Sequence, residues 1–411
     1  MELKEVTSEL LDEYVFNSPK PHYLQTSAFG DVNSKRGIKT KYLILYDKDK
    51  AVGSCLLIEK KVLNFKTYYC PRGFILDYRD KDLIKEMTYK IKEYVKKNNG
   101  LYFKMDPDII IRKLDKNCSP IFEDKDNLEL IEYLKDLGFK HRGFTIKFKE
   151  SSMPRFTFRV DVSKDNLLES FHQTTRNILK RNNPYGLRVR IGDKNDLPLF
   201  YKIMKETAIR KHMYIEDAEY FDSFYNALHN KNMSDLYIVS VNIEDLKNKY
   251  NELINNTSKQ LEDNNLSKGK LTDLNDQLIK YKKELKQIEG INEKEYILSS
   301  MITAKYKDIV WTIHGANASE LSFLNANYEL YWNIIKDSKE NGYKWVDFYG
   351  SEGSIDKHSD AFGIYNFKVR FGGDFDEFIG EFDLVTKPIA NAIISKLLVL
   401  RRKIKYKLQN H

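Results

Sequence analysis

The segment 343–380 holds the residues whose types and spacing are best suited to chemistry. Five of its glycines could permit close approach of the backbone to a ligand, namely Gly350, Gly353, Gly363, Gly372 and Gly373. Aromatic residues flank Lys368 and Arg370, so stacking faces lie beside fixed positive charge. We interpret the segment as a strand, a glycine turn and a second strand. The pattern suggests a ligand site without specifying a reaction.

Signatures of other common enzyme classes are absent from the sequence. There is no GxSxG, GxxxxGK[ST], GxGxxG or HExxH motif, and the histidines are scattered. The cysteines Cys55, Cys70 and Cys118 share no metal-type or redox spacing, so we predict buried or half-buried thiols. We therefore expect neither a metal site nor a cofactor.

The elements that must position this segment belong to a large globular chain. The 411 residues carry 68 Lys and Arg against 60 Asp and Glu, a net charge of +8, and 41% of them are hydrophobic. This length predicts two or three domains, and the apolar content excludes global disorder. The positive charge permits an anionic partner. No apolar run could span a bilayer and no secretion signal is present, so we expect a cytoplasmic protein.

Strand-like and helix-like runs alternate in both halves of the chain, which predicts an α/β (α+β) fold. In the first half the predicted elements are strands at 41–46 and 51–59, a helix at 81–98 and a strand at 100–105. In the second half, strands at 156–162 and 187–191 alternate with helices at 164–181 and 197–211. Pro154 marks a boundary, so we predict one domain over 1–153 and a second over 154–385.

The most regular helical pattern, from Ile243 to Leu298, predicts an antiparallel helical hairpin (a short coiled coil) inserted in the second domain. Apolar residues recur at steps of three and four on both sides of a break at 263–269. The residues between them are almost all polar, so one apolar seam should join the helices while the arm projects from the body. The arm is either inert and solvated or, as we favour, a contact for a large partner.

The segment 386–411 also has apolar residues at helical spacing, separated by basic residues. Two interpretations fit this pattern. The helix docks on the body by its apolar face, which we favour, or it rests on an anionic membrane surface.

A set of spaced motifs resembles the Fem (FemABX) family of aminoacyl-tRNA-dependent peptidyltransferases of peptidoglycan. The C-terminal motifs are Asp347-Phe348-Tyr349-Gly350, Gly363 to Lys368, Phe371-Gly372-Gly373 and Ile379 to Asp383. Earlier motifs in the family's order are Pro71-Arg72-Gly73, Asp106-Pro107, Thr175-Arg176-Asn177 and Glu206 to Arg210. The resemblance covers nearly the whole chain.

The resemblance implies two GNAT-like domains and a transfer reaction. Family members move an amino acid from aminoacyl-tRNA to the stem-peptide amine of a peptidoglycan precursor, either lipid II or UDP-MurNAc-pentapeptide, and so build the interpeptide bridge. Some carry an inserted helical hairpin, which favours a tRNA contact for the arm. Peripheral contact with the inner membrane surface would also fit a lipid-linked precursor.

Two other classes of function remain open at this point. An acyl-CoA-dependent GNAT N-acyltransferase would need a pyrophosphate-binding [RQ]xxGx[GA] turn, and the chain has no good match, since Arg370-Phe371-Gly372-Gly373 lacks that spacing. A noncatalytic RNA-binding protein would need only the hairpin and the basic charge.

The resemblance assigns catalytic roles to Lys368, Phe367 and Asp106. Lys368 would place an ammonium near the oxyanion and the leaving 3′-hydroxyl, and Phe367 would shape and dry the pocket. Asp106 would accept a proton from the attacking amine or orient it. The structural alternatives are a lysine at a strand end for Lys368 and a turn or cap residue for Asp106.

Substrate-binding roles follow in the same way. Arg210 matches the arginine that holds the precursor's phosphates, although a surface charge is its alternative. A basic residue near the N-terminus shares that task in the family; Asn33 falls at its expected spacing, so Lys35 and Arg36 beside it are the candidates. Arg72 and Tyr365 are further binding candidates for which we favour structural roles.

Overall fold

A computed structural model describes residues 1–211, 213–394 and 396–397 of the chain. These residues form two discontinuous units. Unit 1 contains the described residues of 1–158, 349–365 and 374–397, and unit 2 contains those of 159–348 and 366–373. The domain spans 1–153 and 154–385 stay predictions.

The strands of the described residues are numbered β1 to β16 in chain order. They are Glu2–Glu5, Lys39–Asp47, Lys50–Val62, Phe65–Cys70, Gly100–Met105, Ile110–Leu114, Pro120–Glu123, Lys140–His141, Phe156–Asp161, Arg188–Gly192, Leu236–Asn242, Glu295–Tyr306, Ile309–Asn317, Trp345–Ser351, Asp374–Phe378 and Phe382–Val385.

The α-helices with defined bounds are numbered α1 to α12. They are Ser8–Asn17, Ser27–Lys35, Lys81–Lys97, Lys125–Asp136, Leu167–Ser170, Gln173–Asn182, Leu197–Lys211, Ala218–His229, Ile243–Leu261, Lys268–Glu289, Ala326–Glu340 and Phe362–Lys368.

Unit 1 is built on a seven-stranded sheet with the order β1-β2-β3-β4-β5-β16-β8. Its strands pair antiparallel except β4 and β5, which are parallel and are joined through α3. Helix α3 begins where Asp80 accepts a hydrogen bond from the amide of Leu83 at 2.9 Å, an N-cap. It buries Ile84, Met87, Ile91 and Val95 at helical spacing. The sheet therefore gains an apolar layer on this face, and β5 ends directly before Asp106.

Unit 2 contains the antiparallel run β10-β11-β12-β13, with the first residues of β14 parallel to β13. Helix α7 packs on β12 and β13, and α11 packs on β10, β11 and β12. The polar Thr207 of α7 is buried there. Its hydroxyl donates to the carbonyl of Asn317 at 2.9 Å, which offsets the cost of burying it. The end of α7, with Arg210, is thereby fixed beside the end of β13.

Most of the predicted elements are confirmed, and one helix is divided. The strands β2, β3, β5 and β10 and the helices α3 and α7 lie where the periodicity placed them, and Cys55 and Cys70 are buried. The single helix predicted over 164–181 is divided into α5 and α6, which are separated by the extended Phe171 and by His172. The ring of His172 then accepts a hydrogen bond from the amide of Thr174 and begins α6.

The predicted helical hairpin is present as α9 and α10, but it is shorter than expected. Residues 295–298 belong to β12, where Glu295 lies opposite Asn242 of β11. Tyr250 anchors the arm because its ring stacks on Tyr185 at 5.6 Å and contacts Phe323 at 6.1 Å. The seam also contains Glu284, which accepts a hydrogen bond from the Tyr250 hydroxyl at 3.1 Å. Leu271, predicted in the seam, is 42% exposed.

The C-terminal segment is described only in part. Residues 388–394, 396 and 397 are helical, and the rest of the predicted helix at 386–411 lies outside the described residues. Ile394 is buried, whereas Ile389, Ile393 and Leu397 are exposed. No helix of the described residues is both long and apolar enough to cross a membrane.

Candidate active site

Lys368 is the last residue of α12, so the strand predicted for this segment is wrong. The buried positions Ala361, Tyr365 and Lys368 are separated by four and three residues, the period of a helix. The segment then ends at Gly372 and Gly373, whose φ angles of 68° and 85° suit glycine. The aromatic content had suggested a strand, but the burial period shows that a helix presents Lys368 to the interior.

Lys368 is only 7% exposed, and its surroundings determine its charge. Burial penalises the ammonium and lowers the pKa of Lys368 to about 7, although the negative charge of Asp347 opposes this shift. Asp347 is itself 3% exposed and accepts a hydrogen bond from Nε of Arg159 at 3.0 Å. The side chain therefore changes charge near neutral pH, a property that the sequence did not indicate.

Phe367 forms part of an aromatic cluster in unit 2. The centroid of its ring lies 4.9 Å from that of Tyr328, 4.9 Å from that of Tyr331 and 5.2 Å from that of Phe371. All three contacts have steep interplanar angles, the edge-to-face geometry that aromatic pairs favour. The cluster gives the residue before Lys368 an apolar, tightly held environment.

Asp106 lies in unit 1, where both of its carboxylate oxygens accept hydrogen bonds. The Tyr69 hydroxyl donates to Oδ2 at 2.9 Å, and the amide of Arg72 donates to Oδ1 at 2.7 Å. Burial raises the pKa of Asp106 to about 6, against the opposing effects of the Arg72 charge and these hydrogen bonds. A carboxyl with this pKa is suited to exchanging a proton near neutral pH.

Arg72 stabilises the same corner of unit 1. Its backbone has φ of 61°, a left-handed conformation that turns its amide toward Asp106. Its guanidinium carbon lies 4.4 Å from the centroid of the Phe378 ring, and Nη2 donates to the carbonyl of Pro154 at 3.5 Å. These contacts account for its burial, so a structural role fits Arg72 well.

Arg210 is exposed near the end of α7 in unit 2. Its Nη1 donates to the Ser319 hydroxyl at 2.7 Å, and its Nη2 donates to the carbonyl of Asn317 at 3.0 Å. The guanidinium has five N–H donors, so these two bonds orient it without exhausting them. Arg210 is thus a held, solvent-accessible cation.

The remaining predicted residues differ in exposure. Tyr365 is 4% exposed, its hydroxyl donates to the carbonyl of Lys116, and its ring centroid lies 5.6 Å from that of Phe158. Lys35 and Arg36 are exposed at the end of α2. The neighbouring Asn33 is buried and donates to the carbonyl of Phe29 at 2.9 Å.

The structure brings the candidates together in two groups. Asp106 and Arg72 share one network in unit 1, and Lys368 and Phe367 are neighbours in unit 2. Sequence reasoning missed three partners: Tyr69, Asp347 and Arg159. Asp347 stood inside a motif without a role, and no local pattern indicated the other two. Among the described residues, no group of three His, Cys, Asp or Glu side chains is placed to hold a metal ion.

Known proteins are similar to this chain over nearly its full length. The sequence profile of the FemAB family matches residues 6–397. The lipid II:glycine glycyltransferase of Staphylococcus epidermidis is 26% identical over 99% of this chain and 98% of its own length. The enzyme of the same description from Staphylococcus aureus strain MRSA252 is also 26% identical, over 99% and 98%.

The fold is also similar to that of a known protein. A crystal structure of FemX superposes with a TM-score of 0.75 at 25% identity and covers 96% of this chain and 100% of that chain. The predicted mixed α/β fold with a helical hairpin is confirmed, as is the predicted enzyme class. The chain therefore belongs to the FemAB family, the aminoacyl-tRNA-dependent transferases that build the interpeptide bridge of peptidoglycan.

Proposed function

We propose that the protein transfers glycine from glycyl-tRNA to the stem-peptide amine of a lipid-linked peptidoglycan precursor. The observation that supports this donor and acceptor most directly is the full-length similarity to lipid II:glycine glycyltransferases. Two buried groups that titrate near neutral pH, Lys368 and Asp106, supply chemistry suited to the reaction. In that reaction, the amine attacks the ester carbonyl, the bond to the tRNA 3′-oxygen breaks, and an amide forms.

Mass spectrometry of the acceptor tests this function. The purified protein would be incubated with lipid II, or separately with UDP-MurNAc-pentapeptide, and a total pool of charged tRNA. We expect the mass of one glycine on lipid II and no gain without tRNA. Addition of a different amino acid would overturn the choice of glycine, and addition to the nucleotide-linked acceptor alone would overturn the choice of lipid II.

We assign a separate role to each buried group. The Lys368 ammonium stabilises the negative charge that develops on the ester oxygens, because a cation in a dry environment acts strongly on a transition state. The Asp106 carboxylate accepts a proton from the attacking amine, which is a nucleophile only when neutral. Phe367 keeps water from the environment of Lys368.

The pH dependence of transfer follows from these roles. Asp106 must be ionised, so the rate should fall as the pH drops below its pKa of about 6. Lys368 must be charged, so the rate should fall as the pH rises above its pKa of about 7. Measured kcat/KM should therefore peak between these values. Asp347→Asn removes a charge that favours the ammonium and should move the alkaline limb to lower pH.

Substitution of Lys368 tests the role assigned to it. Lys368→Met should lower kcat by about 10²- to 10³-fold, the usual effect of losing one such donor. Lys344→Met, at an exposed lysine of the same unit, should leave the rate unchanged. A Lys368→Met enzyme that transfers at the parent rate would contradict the assigned role.

We further propose that the arm formed by α9 and α10 binds tRNA. The support is a group of exposed lysines on α10, namely Lys268, Lys270, Lys280, Lys282 and Lys283. A phosphate backbone would neutralise these lysines and release counterions, so binding should weaken with salt.

Excision of the arm tests its role. Because Asn242 lies opposite Glu295 in an antiparallel pair, an Asn-Gly turn can replace residues 243–294 without removing any of β12. Affinity for charged tRNA, measured by filter binding, should fall and lose part of its salt dependence. A milder triple variant, in which Lys280, Lys282 and Lys283 are changed to Gln, should also lower the affinity and its salt dependence.

The matched control changes three exposed lysines of unit 1, Lys48, Lys60 and Lys61→Gln, and so removes the same charge elsewhere. Its affinity should equal that of the parent. If the excised protein binds tRNA with unchanged affinity and salt slope, the arm is a solvated projection, as the first interpretation held.

We also propose that the C-terminal segment contacts an anionic membrane, where a lipid-linked acceptor resides, in place of the docked helix that the sequence favoured. Ile389, Ile393 and Leu397 are spaced by four and are 80%, 55% and 50% exposed. The sequence from 387 to 411 contains several Lys and Arg residues and no Asp or Glu. An exposed apolar row within a basic segment suits an anionic interface.

Vesicle sedimentation checks this contact. The protein should sediment with phosphatidylglycerol vesicles more than with phosphatidylcholine vesicles, and salt should weaken the binding. Changing Ile389, Ile393 and Leu397 to Ser should reduce sedimentation, whereas Ile121→Ser, at an exposed isoleucine of β7, should not. Equal binding to both lipids by parent and triple variant would refute the contact.

A further inference from the structure

The outer face of α7 in unit 2 borders an open hollow of about 580 Å³. It is lined by Tyr201, Lys205, Ala208, Ile209, Met213 and Ile215. Its volume falls in the range of small-molecule sites, and its wall is mostly apolar, with polar groups on the side chains of Tyr201 and Lys205, which is also typical of such sites. None of the roles assigned above uses this hollow.

Large apolar side chains are left in solvent at its rim. Ile209 is 75% exposed, Met213 is 47% exposed, and Tyr214, next along the chain, is 83% exposed. Single exposed apolar residues are common, but a contiguous group around a concavity marks an interaction surface. The hollow therefore presents apolar area that a ligand could cover.

The helix that borders this apolar surface is rich in cations. Helix α7 carries Lys202, Lys205, Arg210 and Lys211 and one acidic residue, Glu206. Lys205 borders the hollow, with Nζ 5.1 Å from the centroid of the Tyr201 ring. Arg210 directly follows Ile209, so their Cα atoms are about 3.8 Å apart. Arg210 is also held by Asn317 and Ser319. An apolar hollow beside oriented cations matches an amphiphile with an anionic head.

We propose that this hollow binds the first isoprene units of the acceptor's polyprenyl chain while Arg210 binds its diphosphate. This inference rests on the proposed lipid-linked acceptor and adds to it a subsite for the lipid. The polyprenyl chain is the occupant that fits both features, because its apolar carbons begin directly at a diphosphate. Burial of methyl and methylene groups against Ile209 and Met213 would supply the affinity.

The test compares two lipid-linked acceptors that share the same peptide and diphosphate. One carries the full polyprenyl chain and the other a short chain of one isoprene unit, both in the same detergent. The double variant Ile209→Gln with Met213→Gln should raise the KM of the long-chain acceptor roughly tenfold and leave the short-chain KM and both kcat values unchanged. Because these residues are exposed, the variant should fold like the parent.

Matched variants separate the two parts of the proposal. Arg210→Ala should raise the KM of both acceptors, since both carry the diphosphate. Ile191→Gln, at an isoleucine of β10 that is 50% exposed, should change neither. Equal KM values for parent and double variant with the long-chain acceptor would overturn the subsite. Loss of transfer to every acceptor by the parent protein would instead overturn the proposed function.

Discussion

The burial of ionisable side chains is the constraint on which the rest of the candidate site depends. A charged group loses hydration when it is buried, so it must either find a partner or change its protonation state. Lys368 is nearly inaccessible, and the carboxylate of Asp347 opposes only part of the cost of burying its charge. Asp106 is also buried, and hydrogen bonds from Tyr69 and Arg72 offset part of the cost of burying its charge. Both groups therefore titrate close to the pH at which a cell works.

Each unit provides this burial with an element that ends at or next to a candidate side chain. In unit 1, β5 ends before Asp106, and the left-handed turn at Arg72 aims an amide at the carboxylate. In unit 2, α12 ends at Lys368, and Gly372 and Gly373 follow with positive φ. The substrates of the family carry an ester, an amine and phosphates. Lys368 offers a cation, Asp106 a carboxylate and Arg210 an exposed guanidinium. The proposed chemistry thus depends on strand and helix ends that are supported by buried neighbours.

Sequence patterns predicted those parts of the molecule whose signal is local. The hairpin followed from apolar steps of three and four, and α7 from its periodicity, because helical burial repeats along the chain. The strand predicted around Lys368 was wrong because aromatic residues favour strands on average, whereas here they belong to a short helix. The position of Glu284 in the hairpin seam could not be predicted either, because its partner Tyr250 lies on the other helix.

The protonation of the site could not be predicted from local signals at all. The pKa of Lys368 depends on how much water the fold removes and on the charge of Asp347, and no local pattern pairs these two residues. The motif that carries Lys368 identified the family, but a motif cannot report desolvation. The same holds for Tyr69 and Arg159, which matter through single hydrogen bonds to a carboxylate.

The most direct measurement is the titration of Lys368 itself. Protein labelled with ¹³C at lysine Cε would be followed by NMR from acid to alkaline pH, and the signal missing in Lys368→Met would identify the residue. The account predicts that this signal titrates with a pKa of about 7, well below the other lysines. A Lys368 signal that stays in the ammonium form up to about pH 10, the ordinary range for lysine, would contradict it.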